Sequence, residues 1–137
     1  GKGYLLFEIK KILPKIKIVG IDISNYAIKN SKKEIKKLLF KYDCRKKLPF
    51  KTKSFDLVIS LAVLHNFEIT SLFQSIKEIE RVGKKKFIMV ESYNNYTELF
   101  NLQCWALTCK SFFSIKDWEW IFKTNCYKGD YEFISFK

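Results

Sequence analysis

Gly1-Lys2-Gly3-Tyr4-Leu5-Leu6-Phe7-Glu8-Ile9 and, further on, Ile16-Lys17-Ile18-Val19-Gly20-Ile21-Asp22 are the two stretches whose reading decides the fold. A pair of glycines runs straight into apolar residues, and nineteen positions after Gly3 a β-branched stretch ends on an acid. Glycines let a backbone approach a ligand where a helix begins, and the unpaired N–H groups of that first turn attract negative charge. An acid about 20 residues further on is placed to accept hydrogen bonds from ribose hydroxyls. The pattern is the second half of a nucleotide-binding βαβ unit. No strand precedes Gly1, so the expectation is a domain clipped at its N-terminus.

Outward from that unit the periodicity alternates between helix and strand. Tyr4 to Leu13 reads as a helix ended by Pro14, with Leu5, Leu6, Ile9, Ile12 and Leu13 on one face. Lys15 to Ile21 reads as a strand, Ser24 as the cap of a helix running to about Lys37, and Leu39 to Tyr42 as a short strand. Phe55 to Leu61 is a near-continuous apolar run of the kind buried on both faces of a parallel sheet. Thr70 or Ser71 opens a helix whose Leu72, Phe73, Ile76, Ile79 and Val82 recur every three or four residues, Gly83 turns the chain, and Phe87 to Val90 is the next strand. Beyond it the spacing predicts a helix over Thr97 to Thr108. Ser114-x-x-Asp117 caps another over Ile115 to Phe122, and a closing strand covers Tyr131 to Phe136.

A dinucleotide site of the NAD type wants a third glycine three positions after the second, and Leu6 stands there. An NAD-dependent oxidoreductase is disfavoured on that ground. Gly1-Lys2-Gly3 instead resembles the end of the glycine-rich motif of class I S-adenosylmethionine-dependent methyltransferases, and three later segments are similar to that family in the same order. Val19-Gly20-Ile21-Asp22-Ile23-Ser24 is similar to its second motif. Tyr42-Asp43-Cys44 with Leu48-Pro49-Phe50 resembles its third. Ser54-Phe55-Asp56-Leu57-Val58-Ile59-Ser60-Leu61-Ala62-Val63-Leu64-His65-Asn66 looks like its fourth strand and exit loop, and Glu78-Ile79-Glu80-Arg81-Val82 like the end of the next helix. The resemblance covers about residues 1 to 92 and thins after Glu91.

The resemblance implies an α/β fold, Rossmann-like and doubly wound, with a mostly parallel sheet, helices on both faces and the first central strand missing from the chain. It implies one domain over 1–137, with 1–92 holding the cofactor and 93–137 forming acceptor-side helices and a closing strand. S-adenosylmethionine is the implied cofactor, held by Gly1, Gly3, Asp22, Ile23, Asp43, Cys44 and Leu61: Asp22 for the ribose hydroxyls, Ile23 against adenine, and Asp43 for the adenine amino group.

His65 is the only side chain with an ordinary pKa near neutrality, and it falls in the loop after the fourth strand of the family count. It is a candidate general base, weighed against a role in shaping the loop. Glu91, at the end of the following strand, is the second candidate, and Asp56 reads as structural. Tyr93, Tyr96, Trp105, Phe112 and Phe113 form either an aromatic acceptor pocket or ordinary core. No Asn/Asp-Pro-Pro-Tyr-type segment for base amino groups and no Pro-Cys nucleophile is present. A small-molecule, sugar or lipid-linked acceptor methylated on oxygen therefore leads, with an RNA methyltransferase and an inactive interaction module as alternatives.

Composition bounds the rest. The 137 residues are 47% hydrophobic and 17% aromatic, enough for one core. No apolar run approaches the roughly 20 residues that span a bilayer, and a cytoplasmic protein is the expectation. Net charge is +12, yet all but two of the 26 basic residues are lysine, Arg45 and Arg81 being the exceptions. Arginine is the residue of bidentate phosphate and base recognition, so the lysine runs read first as solvated faces and only second as a phosphate track for nucleic acid. Cys44, Cys104, Cys109 and Cys126 lack metal-ligand spacing and read as free, mostly buried thiols. The sequence leaves the oligomeric state open.

Overall fold

A computed structural model describes residues 1–137. The chain packs as two compact units, Gly1–Cys44 and Arg45–Lys137. Each is an α/β arrangement in which the strands run parallel.

The first unit contains α1 (Tyr4–Ile12), β1 (Gly20–Asp22), α2 (Asn25–Lys29), α3 (Lys33–Lys36) and β2 (Leu39–Lys41). β1 pairs with β2 from Gly20↔Leu39 to Asp22↔Lys41, and Gly20 N–H to Leu38 O and Tyr42 N–H to Asp22 O frame the pair. The strand is shorter than the Lys15–Ile21 expected, because the partner β2 offers only three residues. Gly20 is closely approached: a Cβ there would stand 2.4 Å from Leu39 Cδ2 and 2.7 Å from Leu6 Cδ1, so those side chains would have to move aside. The single helix expected from Ser24 to Lys37 is two short ones. Asn30 Nδ2 donates to Tyr26 O (2.8 Å) and Ser31 Oγ to Ile28 O (2.7 Å), so polar side chains close the first helix where periodicity alone would continue it.

The second unit contains β3 (Phe55–Leu61), a 3-10 turn (Leu64–Asn66), α4 (Ile69–Val82), β4 (Gly83–Glu91), α5 (Tyr96–Trp105), α6 (Ile115–Thr124) and β5 (Asp130–Ile134), with strand order β3-β4-β5. α4 starts one residue before Thr70. Gly83 does not turn the chain: its backbone is extended and it begins β4 directly, opposite Phe55. β4 thus gains four residues at its start and one at its end over the expected strand, and Lys86 in that extension is buried with its ammonium 2.7 Å from Glu80 Oε1. β3 has the predicted ends but not the predicted burial. It is paired on one edge only, and Leu57 stays 53% exposed. The core lies where α4 and α6 cover Ile88 and Val90 of β4, with Leu72 and Ile76 from one helix and Trp118 and Phe122 from the other. Ser114 and Asp117 form the expected reciprocal capping box at the start of α6.

Candidate functional site

In the first unit the site is built at the carboxyl end of β1 and the N-terminus of α1. Gly3 caps α1 in the left-handed region at φ 72°, with no side chain bonded to the first turn, so the early N–H groups of the helix have no side-chain partner. A Cβ at Gly3 would meet Ile35 Cδ1 at 2.6 Å, so both conformation and space call for glycine. A small cavity of about 120 Å³ is lined by Gly1, Gly3, Gly20, Asp22 and their apolar neighbours Leu6 and Leu39, among others. Asp22 Oδ1 accepts from Ser24 N–H at 2.7 Å, and its Oδ2 meets the Gly1 amino group. The turn that aims Asp22 is continuous with the cap of α2, since Ser24 Oγ accepts from Ala27 N–H at 3.2 Å. Ile23 is exposed beside Asp22, and Asp43 and Cys44 follow β2 half-buried. The glycine cradle, the uncapped helix N-terminus and the aimed carboxylate suit a nucleoside, and a cavity of this size takes only part of one.

The second unit brings His65 and Glu91 together at the carboxyl ends of β3 and β4. Leu61 closes β3, and Ala62 follows it with φ 52°, its N–H bonded to Met89 O at 2.9 Å. A left-handed non-glycine residue is uncommon, and here it redirects the chain so that the 3-10 turn lies across the end of the sheet. His65 is 4% exposed and Glu91 8%. His65 Nε2 stands 3.3 Å from Glu91 Oε2, while His65 Nδ1 and Glu91 Oε2 are buried with no hydrogen-bond partner. Unsatisfied buried polar atoms are costly, which sets this pair apart from the satisfied polar groups around it. Burial acts on the two in opposite directions: it pushes the His65 imidazole below its ordinary value and the Glu91 carboxyl above its own.

Both groups are held from behind. The His65 carbonyl accepts from Lys110 N–H and Ser111 N–H, each at 2.9 Å, and from the Cys109 thiol at 3.4 Å. Trp118 Nε1 donates to Glu91 O at 3.3 Å, tying α6 to the end of β4. Asn66 was not singled out in the sequence, yet it bridges His65 to Thr108: Thr108 Oγ1 donates to Asn66 Oδ1 at 2.6 Å, and Asn66 Nδ2 lies 3.1 Å from His65 Nε2. An asparagine after a histidine in a loop carries no signal of its own, because a sequence separation of 42 between Asn66 and Thr108 hides the contact.

Of the five aromatics read as either an acceptor pocket or ordinary core, three have their own surroundings. Phe113 packs edge-on against Trp118 at 5.5 Å, Trp105 leans on Phe136 at 5.7 Å, and Tyr96 is 90% exposed. Asp56 is an exposed partner of Lys84 at 2.7 Å. Cys104 and Cys126 are exposed rather than buried, lying on α5 and just past α6.

A glycine-cradled helix start followed by an acid at the next strand end, on parallel α/β units, is a Rossmann-like arrangement. The model of the methyltransferase domain family matches residues 1–133, and the chain belongs to that family. No curated protein matches it. Among solved structures, the PH0226 protein from Pyrococcus horikoshii OT3 is similar at 32% identity over 61% of this chain and 41% of its own, with a TM-score of 0.54. The YcgJ protein from Bacillus subtilis shares the fold at 16% identity over 91% of this chain and 57% of its own, with a TM-score of 0.71. The chain thus spans roughly half the length of these relatives. No helix is long and apolar enough to cross a membrane.

Proposed function

We propose that the protein transfers a methyl group from S-adenosylmethionine to an oxygen of a small-molecule, sugar or lipid-linked acceptor, and that residues 1–137 belong to a single methyltransferase domain. The family model running through residues 1–133 supports the single domain. Gly1, Gly3, Asp22, Ile23, Asp43, Cys44 and Leu61 are the residues we assign to the cofactor, and the αL cradle at Gly3 with the aimed Asp22 carboxylate is a fitting set for it. S-adenosylmethionine, when bound, supplies an electrophilic sulfonium methyl, so the protein has mainly to position the acceptor and take its proton.

The observation that carries oxygen as the methylated atom is the buried His65–Glu91 pair. A hydroxyl is a weak nucleophile until its proton has somewhere to go. Glu91 is suited to receive it, because burial brings the carboxyl toward neutrality and its Oε2 has no other partner. On this reading Glu91 would take the proton released from the acceptor hydroxyl, while the cofactor would supply the methyl group from its sulfonium and leave as S-adenosylhomocysteine. A cytoplasmic setting goes with this reading, and the four free thiols fit a reducing compartment.

The test uses the full-length protein. Calorimetric titration should show saturable binding of S-adenosylmethionine and S-adenosylhomocysteine and none of NAD, and Asp22→Ala should abolish most of that affinity while the fold stays intact. With an acceptor found by screening, Glu91→Gln should lower kcat by about 10²-fold or more at unchanged cofactor affinity. Cofactor binding unaffected by Asp22→Ala would sink the site assignment, and absence of binding by a folded protein would favour the interaction module.

A further inference from the structure

α5 is turned inside out with respect to charge. Its one acid, Glu98, is 8% exposed and accepts from Asn94 N–H at 2.8 Å and Asn94 Nδ2 at 3.2 Å, while the same helix sends aromatic residues into water. Tyr96 is 90% exposed, Phe100 65% and Trp105 67%, and Leu107, just past the helix, is 90% exposed. Tyr96, Phe100 and Cys104 recur every four residues and so share one face. Cys104 in turn borders a shallow groove with Asn101, Trp105, Phe136 and Lys137. No charged residue stands between Glu98 and Lys110, in a chain of which 29% is charged. α6 shows the ordinary pattern, with Lys116, Asp117, Glu119 and Lys123 exposed and Trp118 and Phe122 buried. A surface helix that is apolar inward, at Leu102, and again outward carries more apolar surface than its own fold covers.

We propose that this face is where a second copy of the chain docks, α5 against α5 about a twofold axis. Charge and area both point to that partner. The whole of the +12 resides in residues 1–92, since residues 93–137 carry five lysines against five acids. Two copies meeting through the lysine-rich part would bring like charges together, whereas a face free of charge meets itself without that cost. The same balance argues against nucleic acid or an anionic lipid surface, each of which calls for lysines interleaved with the aromatics. At these exposures Tyr96, Phe100, Trp105 and Leu107 leave on the order of 600 Å² in water. Two such faces set together remove about 1,200 Å², the lower end of the range for a specific interface. Aromatic residues with charge depleted around them are also the composition of interface cores.

Sedimentation velocity of the full-length protein from about 1 to 100 µM should show reversible dimerisation with a Kd on the order of 10 µM. Tyr96→Glu, Phe100→Glu and Leu107→Glu should each weaken it about tenfold or more, while circular dichroism and the melting temperature in dilute solution stay at wild-type values. Tyr96 and Leu107 are almost fully exposed, so those two variants keep the test available should Phe100→Glu disturb the fold. Maleimide labelling read by mass spectrometry gives an independent signal. Cys104 should react several-fold more slowly at the top of the concentration range than at the bottom, and Cys126, exposed just past α6, at the same rate at both. A monomer at every concentration, free in solution or sedimenting with phosphatidylglycerol vesicles, overturns the proposal. So does a dimer indifferent to all three variants, or one that leaves Cys104 labelling unchanged.

Discussion

His65 and Glu91 are held by the same packing and pushed apart in acidity by it. The ordinary value for the histidine is 6.5 and for the glutamate 4.5. Because folding lowers the first, the unfolded chain binds more protons once the pH drops below about 6.5, and stability is lost through that window as the buried imidazole is forced to charge. For Glu91 the sign reverses. Folding raises its pKa, so its stabilising contribution is complete below 4.5 and is lost as pH rises through the folded value, where the buried carboxyl must ionise. Thermal unfolding followed from about pH 4 to pH 8 should therefore show His65→Gln losing less stability than wild type on acidification, and Glu91→Gln gaining on wild type toward neutral pH. The Lys110–Glu68 pair titrates alike in all three proteins and cancels in the comparison. Identical pH slopes in the three would mean that the pair is solvated. Neither role was legible beyond residue type: that a histidine and a glutamate were worth watching follows from their place after strands, but burial and the missing partners come from contacts across 26 residues of chain.

At the scale of elements, α4 does more than cover the sheet. Glu78 Oε2 accepts from Leu48 N–H at 2.6 Å, while Arg81 donates to Phe50 O at 2.7 Å and Leu48 O at 3.0 Å and pairs with the Glu78 carboxylate through Nε and Nη2. One helix thus clamps the Leu48-Pro49-Phe50 segment by its backbone. The Arg81 hydrogen bonds hold Glu78 below the usual carboxylate range despite burial. A planar fork with several donors is needed to reach two carbonyls and a carboxylate at once, which explains one of the two arginines in a lysine-rich chain. Arg81→Lys should lower the melting temperature and speed proteolysis near residue 50, and Ser114→Ala should cost about 1 kcal/mol by removing the α6 cap. Denaturant titration with limited proteolysis reads both, and unchanged cleavage in Arg81→Lys would show that the clamp is idle. The Ser114 cap was legible because it lies within four residues of sequence. The break between α2 and α3 was not, since Asn30 and Ser31 act through carbonyls of the preceding turn, a competition that apolar spacing does not register.

At the scale of the whole molecule, charge is distributed unevenly. Residues 1–44 hold eleven lysines against four acids. Some of these are occupied locally: Lys32 Nζ lies 4.0 Å from the Phe7 ring centroid, and Lys36 Nζ donates to Lys29 O at 2.8 Å. Lysines act on phosphate as point charges, so RNA should adsorb without sequence preference and lose most of its affinity between about 50 and 200 mM salt. Filter binding across that range checks it, and a salt-resistant, sequence-selective complex would revive the RNA methyltransferase reading. The order of helices and parallel strands was legible from the chain alone, because 3.6- and 2-residue periodicities are properties of neighbours in sequence, and the Gly-x-Gly followed by a strand-end acid is a local motif. Sequence by itself also determined the family, through motifs in fixed order. Only the tertiary structure decided that Gly83 begins a strand, that Tyr96 stays exposed, and that Asn66, Thr108, His65 and Glu91 come together. Those are outcomes of close packing between segments far apart in the chain, where burial and hydrogen-bond satisfaction, not local propensity, set the conformation.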